Sequence, residues 1–218
     1  MADRKEDKRG KKIIFVSSCL MNTNNKVCGL ARYSGMCRDV FDTLCDNGLG
    51  IQQMDCPETL YLGINRWWQT KNLYDCRGFR DHCRQLAERV VTYMEEYARV
   101  GYKVVAILSC DGSPTCGVTI TSYDPNWGGS PVDLNYNDAI IQGKGVYIEE
   151  LEAIALILSI VPELQTLPGD NRSQGTVTLG HLEDHIKRSV FRNHRIRRYN
   201  GVFFIAGGSF GIFITNRS

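Results

Sequence analysis

Nine cysteines stand among the 218 residues, at positions 19, 28, 37, 45, 56, 76, 83, 110 and 116. A thiol can fill space, pair with another thiol, hold a metal or act as a nucleophile. The charged start "MADRKEDKRGKK" lacks a leader's apolar run. No apolar stretch approaches the roughly 20 residues that span a bilayer. The cytoplasm is therefore the expected compartment, where a disulfide framework is disfavoured. Metal binding, thiol chemistry and burial as small hydrophobes remain. Sequence context sorts the nine. Cys19 in "SSCL", Cys56 in "MDCPE", and Cys110 and Cys116 in "CDGSPTCG" each follow an apolar run. Cys83 falls on an apolar helix face, Cys76 seven residues before it, and Cys45 on a short helix; these fit packing better. Cys28 and Cys37 flank a loop and fit either role.

The runs before those thiols must position them. "KIIFVSS" at 12–18 predicts a buried strand, "GIQQMD" at 50–55 can form a second and "YKVVAILS" at 102–109 a third. Between the first two, Val40, Phe41 and Leu44 recur at helical spacing, and Asn47-Gly48 ends the helix. Between the second and third, Phe79, Cys83, Leu86, Val90, Met94 and Tyr97 repeat every three or four residues up to Gly101. A further apolar-faced helix is expected at 146–160. Strand, helix, strand, helix, strand is the pattern of an α/β domain: a parallel sheet with flanking helices. Sites in such sheets form past the carboxyl ends of the strands. Every predicted strand ends in a thiol, so parallel neighbours would bring the thiols to one sheet edge.

Thiolates from three loops suit zinc or an iron–sulfur cluster. Structural zinc usually shows cysteines paired at C-x₂₋₄-C, and the closest spacing here is the C-x₅-C of 110 and 116. Singly placed, distant cysteines favour a cluster held between loops. Glu58, two residues past Cys56, can face the same cavity, where a carboxylate beside a metal can activate water. It can equally be a helix-start carboxylate after Pro57. Ser113 precedes Pro114 and can cap a turn. Gly112 and Gly117 allow close backbone approach.

"SSCLMNTNNKVCGLARYSG", "CPE" and "GSPTCG" resemble, in this order, the motifs of the 2-thiouracil desulfurase family, over residues 12 to about 160. The resemblance implies hydrolytic, non-redox removal of sulfur, as sulfide, from a thiolated pyrimidine or another small thiocarbonyl substrate. It implies a 4Fe-4S cluster with one open iron, held by Cys19, Cys56 and Cys116. It makes Glu58 the acid/base residue and Ser113 a hydrogen-bonding group near the open iron. Several positions depart from the family pattern. The first loop is longer, with Asn22 for a glycine and the added Cys28; Ser34 replaces an aspartate; Thr115 replaces a serine. "TLYLGINRWWQT" replaces a glycine-rich run, which alters the pocket that reads the substrate. Cys28 or Cys110 could add a fourth ligand. A cluster-dependent dehydratase, or a non-catalytic iron–sulfur or zinc protein for sensing or sulfur delivery, would use similar thiols.

Three regions follow: a charged tail at 1–11, the desulfurase-like α/β domain at 12–164 and an appendage at 165–218. In the appendage, "KRSVFRNHRIRR" at 187–198 is a basic helix that could contact RNA, and "GVFFIAGGSFGIFITN" predicts a β-hairpin. A solvated helix and an edge hairpin for packing or homodimer contact are the plainer expectations. His181 and His185 are expected at the surface, and Trp67-Trp68 in core or subunit contacts rather than stacked on a base. The net charge of +2 implies no strong field for nucleic acid over the whole chain.

Overall fold

The structure, a computed structural model, describes residues 6–127, 136–157, 203–207 and 210–214. Strands β1 (Lys12–Ser17), β2 (Gly50–Met54) and β3 (Lys103–Ser109) form a parallel sheet in the order β2-β1-β3. The expected α/β architecture is therefore present, with all three strands pointing the same way.

Each connection between these strands carries helix. A short α1 (Ser18–Met21) and α2 (Arg38–Asp46) follow β1. Helices α3 (Pro57–Leu62), α4 (Lys71–Tyr74) and α5 (Arg77–Arg99) follow β2. Gly48 ends the α2 segment at φ 65° and Gly101 closes α5 at φ 81°, the left-handed region where a side chain is strained. Both glycines stand where the sequence predicts helix ends.

The sheet separates two apolar layers. Ile13 and Phe15 face α5 and α6 (Val146–Ile157) with Phe79, Cys83, Leu86, Val90 and Met94. Ile14 and Val16 face α2 with Val40, Phe41 and Leu44. This alternation along β1 is the two-residue period of a strand buried on both sides. β3 breaks the period once. Ile13 pairs with Val104 but Ile14 with Ala106, so Val105 is extra. That bulge is why Val104 and Ile107, three apart, share one face. Phe15 has no exposed surface, and its truncation to alanine should cost about 3–5 kcal/mol.

Short strands β4 (Ile120–Ser122) and β5 (Ile140–Gln142) pair antiparallel beyond the third loop, an element the sequence reading does not contain. Strands β6 (Phe203–Gly207) and β7 (Phe210–Ile214) pair antiparallel, as the predicted hairpin requires. They reach the edge of β3, through Ser109 opposite Phe203 and Leu108 opposite Phe213. The basic stretch 187–198, where RNA contact is expected, and His181 and His185 lie outside the described residues. Among the described residues, no helix is long and apolar enough to cross a membrane.

Candidate functional site

The site grows from the ends of β1, β2 and β3. β1 runs directly into α1, so Cys19 sits at the strand end on the first helical turn. Cys56 follows β2 and caps α3: its Sγ accepts the Thr59 amide at 3.4 Å, and Pro57 starts the helix. Proline suits that position because its nitrogen has no proton to leave unpaired. Cys110 and Cys116 open and close the loop after β3. Gly112 of that loop has φ 77°, a turn that favours glycine.

This loop is built tightly. Asp111 accepts the amides of Val118 at 2.7 Å, Thr119 at 3.1 Å and Ile120 at 3.4 Å, plus the Thr119 hydroxyl. Burial pushes its carboxyl up to about 6, against those hydrogen bonds. Ser113 Oγ accepts the amides of Cys116 at 3.0 Å and Thr115 at 3.3 Å, so Ser113 caps the turn that presents Cys116. The start of α6 grips the same loop. Gly145, Val146, Tyr147 and Ile148 donate amide protons to the carbonyls of Gly117, Pro114, Thr115 and Thr115. A side chain at Gly145 would lie 2.3 Å from the carbonyl carbon of Thr115, and one at Gly117 would lie 2.2 Å from the Ile120 carbonyl oxygen. Only glycine fits at these two contacts.

The thiols do converge. Cys19 and Cys110 follow neighbouring strand ends, which the Ser17 and Ser109 hydroxyls join at 2.8 Å, and each thiol shifts the other. Lys26, from the first loop, reaches Cys110 Sγ at 3.5 Å. The neighbouring Cys19 and the Lys26 charge hold the Cys110 thiol down despite burial, and Cys19 is pushed up in turn. Burial pushes both the Cys56 and Cys116 thiols up, aided by the Glu58 charge at Cys56 and by Cys56 at Cys116. Cys28 is exposed, Cys76 is exposed ahead of α5, and Cys83 is buried in the core as expected. Cys37 is buried against α2 and β1. Among the described residues, no three His, Cys, Asp or Glu side chains are grouped around one point as ligands of a single metal ion.

Glu58 is buried at the first turn of α3 and binds outward on both oxygens. Oε2 pairs with Arg66 Nε at 2.9 Å, and Oε1 accepts the Thr115 hydroxyl at 2.8 Å. Arg66 goes further. Its other nitrogens donate to the Asn25 carbonyl at 2.8 Å and the Thr59 hydroxyl at 3.1 Å, and one lies 4.0 Å from Cys56 Sγ. Glu58 and Arg66 together tie the loops after β1, β2 and β3 to one another. The sequence reading names Cys19, Cys56, Glu58, Ser113 and Cys116, and the structure brings all five to this sheet edge. It does not name Lys26, Arg66 or Asp111. Arg66 falls within "GINRWWQT", where no spacing ties it to Glu58, so only the fold reveals the pair. Trp67 beside it is 73% exposed, which rules out the expected core role within this chain, while Trp68 packs edge-on against Trp127 at 4.7 Å.

Fold and site together define an α/β protein with a cluster of thiols at the carboxyl edge of a parallel sheet. The chain belongs to the family of the uncharacterized protein MJ0003 of Methanocaldococcus jannaschii, to which it is 38% identical over 110 residues, half of this chain and 70% of that protein. No family model matches the chain. No solved structure matches it.

Proposed function

We propose that the chain holds an iron–sulfur cluster on Cys19, Cys56 and Cys116 and removes sulfur, by hydrolysis, from a thiolated pyrimidine or a related thiocarbonyl compound. The observation that carries this reading is the convergence of thiols from the loops after β1, β2 and β3. The donor set fits such a group. Burial favours the protonated thiols of Cys56 and Cys116, so a bound cation is what would hold them as thiolates. Ligands on separate irons also stand farther apart than the ligands of one ion. When bound, the cluster would supply an open iron that draws electron density from a C=S group.

The chain's own residues supply the proton chemistry. Arg66 occupies Glu58 Oε2, which leaves Oε1 as the atom to take a proton from water. Thr115 uses one lone pair of Oε1, and a carboxylate oxygen has two. Thr115 gives its only proton to Glu58, so Ser113, at 3.2 Å, donates to Thr115. Ser113, Thr115 and Glu58 thus form a hydrogen-bonded chain beside Cys116, whose Sγ lies 3.5 Å from the Thr115 hydroxyl.

Purification without oxygen should give brown protein with about four irons and matching sulfide per chain. Cys19→Ser, Cys56→Ser and Cys116→Ser should each lose iron, while Cys76→Ser and Cys83→Ser keep it. The loaded wild type should release sulfide from 2-thiouracil. Stoichiometric zinc without sulfide would remove the reading.

A further inference from the structure

The proposed ligand set leaves one thiol of the pocket without a role. Cys110 opens the loop that Cys116 closes, and it follows Ser109, whose hydroxyl lies 2.8 Å from that of Ser17, two residues before Cys19. Lys26 approaches the same sulfur at 3.5 Å from the loop after β1. Cys110 therefore stands beside two groups from a different part of the chain, Lys26 and the α1 turn that carries Cys19. Of the two cysteines that could add a fourth ligand, Cys28 is exposed and Cys110 is not.

We infer that Cys110 is the fourth thiolate of the resting protein: it covers the open iron position and is displaced when a thiocarbonyl sulfur arrives. The inference rests on the cluster reading above. When coordinated, Cys110 would be a thiolate beside the Lys26 ammonium. A thiolate that shares its charge with an ammonium is a poorer electron donor than an unshared one. Cys110 is thus the exchangeable member of the set. Cys56 and Cys116 are fixed by the α3 cap and by the α6 grip on their loop, whereas the Cys110 sulfur meets only the flexible Lys26 at 3.5 Å and, at 4.0 Å, the Asp111 carbonyl.

Open irons are lost on mild oxidation, and that loss gives the test a readout other than turnover. Full-length wild type, Cys110→Ala and Lys26→Met are loaded with iron and sulfide without oxygen. Each is then treated with stoichiometric ferricyanide. Iron is counted, and the paramagnetic signal of an oxidised three-iron cluster is recorded. Wild type should keep about four irons, and Cys110→Ala should fall to about three with that signal. Lys26→Met, which frees the sulfur from its ammonium partner, should resist loss at least as well as wild type. Equal iron loss in wild type and Cys110→Ala would overturn the inference and leave the cluster reading standing. So would full retention in Cys110→Ala. Failure of the wild type to take up iron at all would overturn both.

Discussion

Glu58 sits at the start of a helix, in a proposed proton transfer and in a buried ion pair at once. These roles separate experimentally. A buried pair is costly to break from one side, because the surviving charge is left without a partner. Arg66→Met should therefore lose about 3–5 kcal/mol of unfolding free energy, read by urea titration. The Arg66→Met/Glu58→Gln double variant should recover much of that loss; a simple sum of the two single losses would show that the pair is not coupled. Glu58→Gln, once loaded with iron, should slow single-turnover desulfuration by about 10²–10⁴-fold if the carboxylate takes a proton. A rate within a few-fold of wild type at full iron content would confine Glu58 to tying the loops together. Asp111 titrates in its own way. Its carboxyl sits at about 6, above its usual 3.8, so folding takes up a proton between those values. Its stabilising contribution is fully present below 3.8 and is lost as pH rises through about 6. Relative to Asp111→Asn, wild type should be more stable at about pH 4 than at about pH 7, and a difference constant with pH would exclude Asp111 as the titrating group. Of these residues, Glu58 was legible from Cys-Pro-Glu alone. Its partner was not, because no periodicity links an arginine in an irregular loop to a carboxylate eight residues earlier.

At the scale of elements, the sequence reads most clearly where one force dominates. β1 and β3 are nearly continuous apolar runs buried on both faces, and α5 is a long helix with one apolar stripe, so pattern suffices. Their ends are marked by Gly48, Gly101 and the cysteines themselves. What pattern does not carry is the docking of α6 on the third loop. That contact needs no side-chain chemistry, only the missing Cβ of Gly145 against the backbone of Thr115. Gly145→Ala should therefore push α6 away from the loop that carries Cys116. The expected loss is about 1–3 kcal/mol, the cost of overpacking, with iron uptake falling in parallel. An alanine variant that loads iron normally would show that the loop keeps its shape without the helix.

Across the whole molecule, the two apolar layers hold a rigid sheet, and the chemistry is carried by the loops at one of its edges. The parallel order of β2, β1 and β3 is what gathers Cys19, Cys56, Cys110 and Cys116, residues up to 97 positions apart, since parallel strands place all their carboxyl ends on the same side. β6 and β7 extend this sheet beyond β3. They meet β3 at Leu108 and Ser109, immediately before Cys110. Truncation at 165 removes that pairing and leaves the β3 edge open to other chains. The truncated protein should associate more readily than the full chain, measured by light scattering at equal concentration, and should hold less iron. A monomeric truncation with full iron would make the hairpin irrelevant to the site.

The α6 start offers one more consequence, in the language of solvent exchange. The first amides of a helix have no carbonyl within the helix and normally trade their protons with water quickly. Here Gly145, Val146, Tyr147 and Ile148 spend theirs on the loop of Pro114, Thr115 and Gly117. Their deuterium uptake is thus a clock for that loop: slow while it stays closed around Cys116, fast whenever it opens, and readable in the intact protein without knowing what it binds.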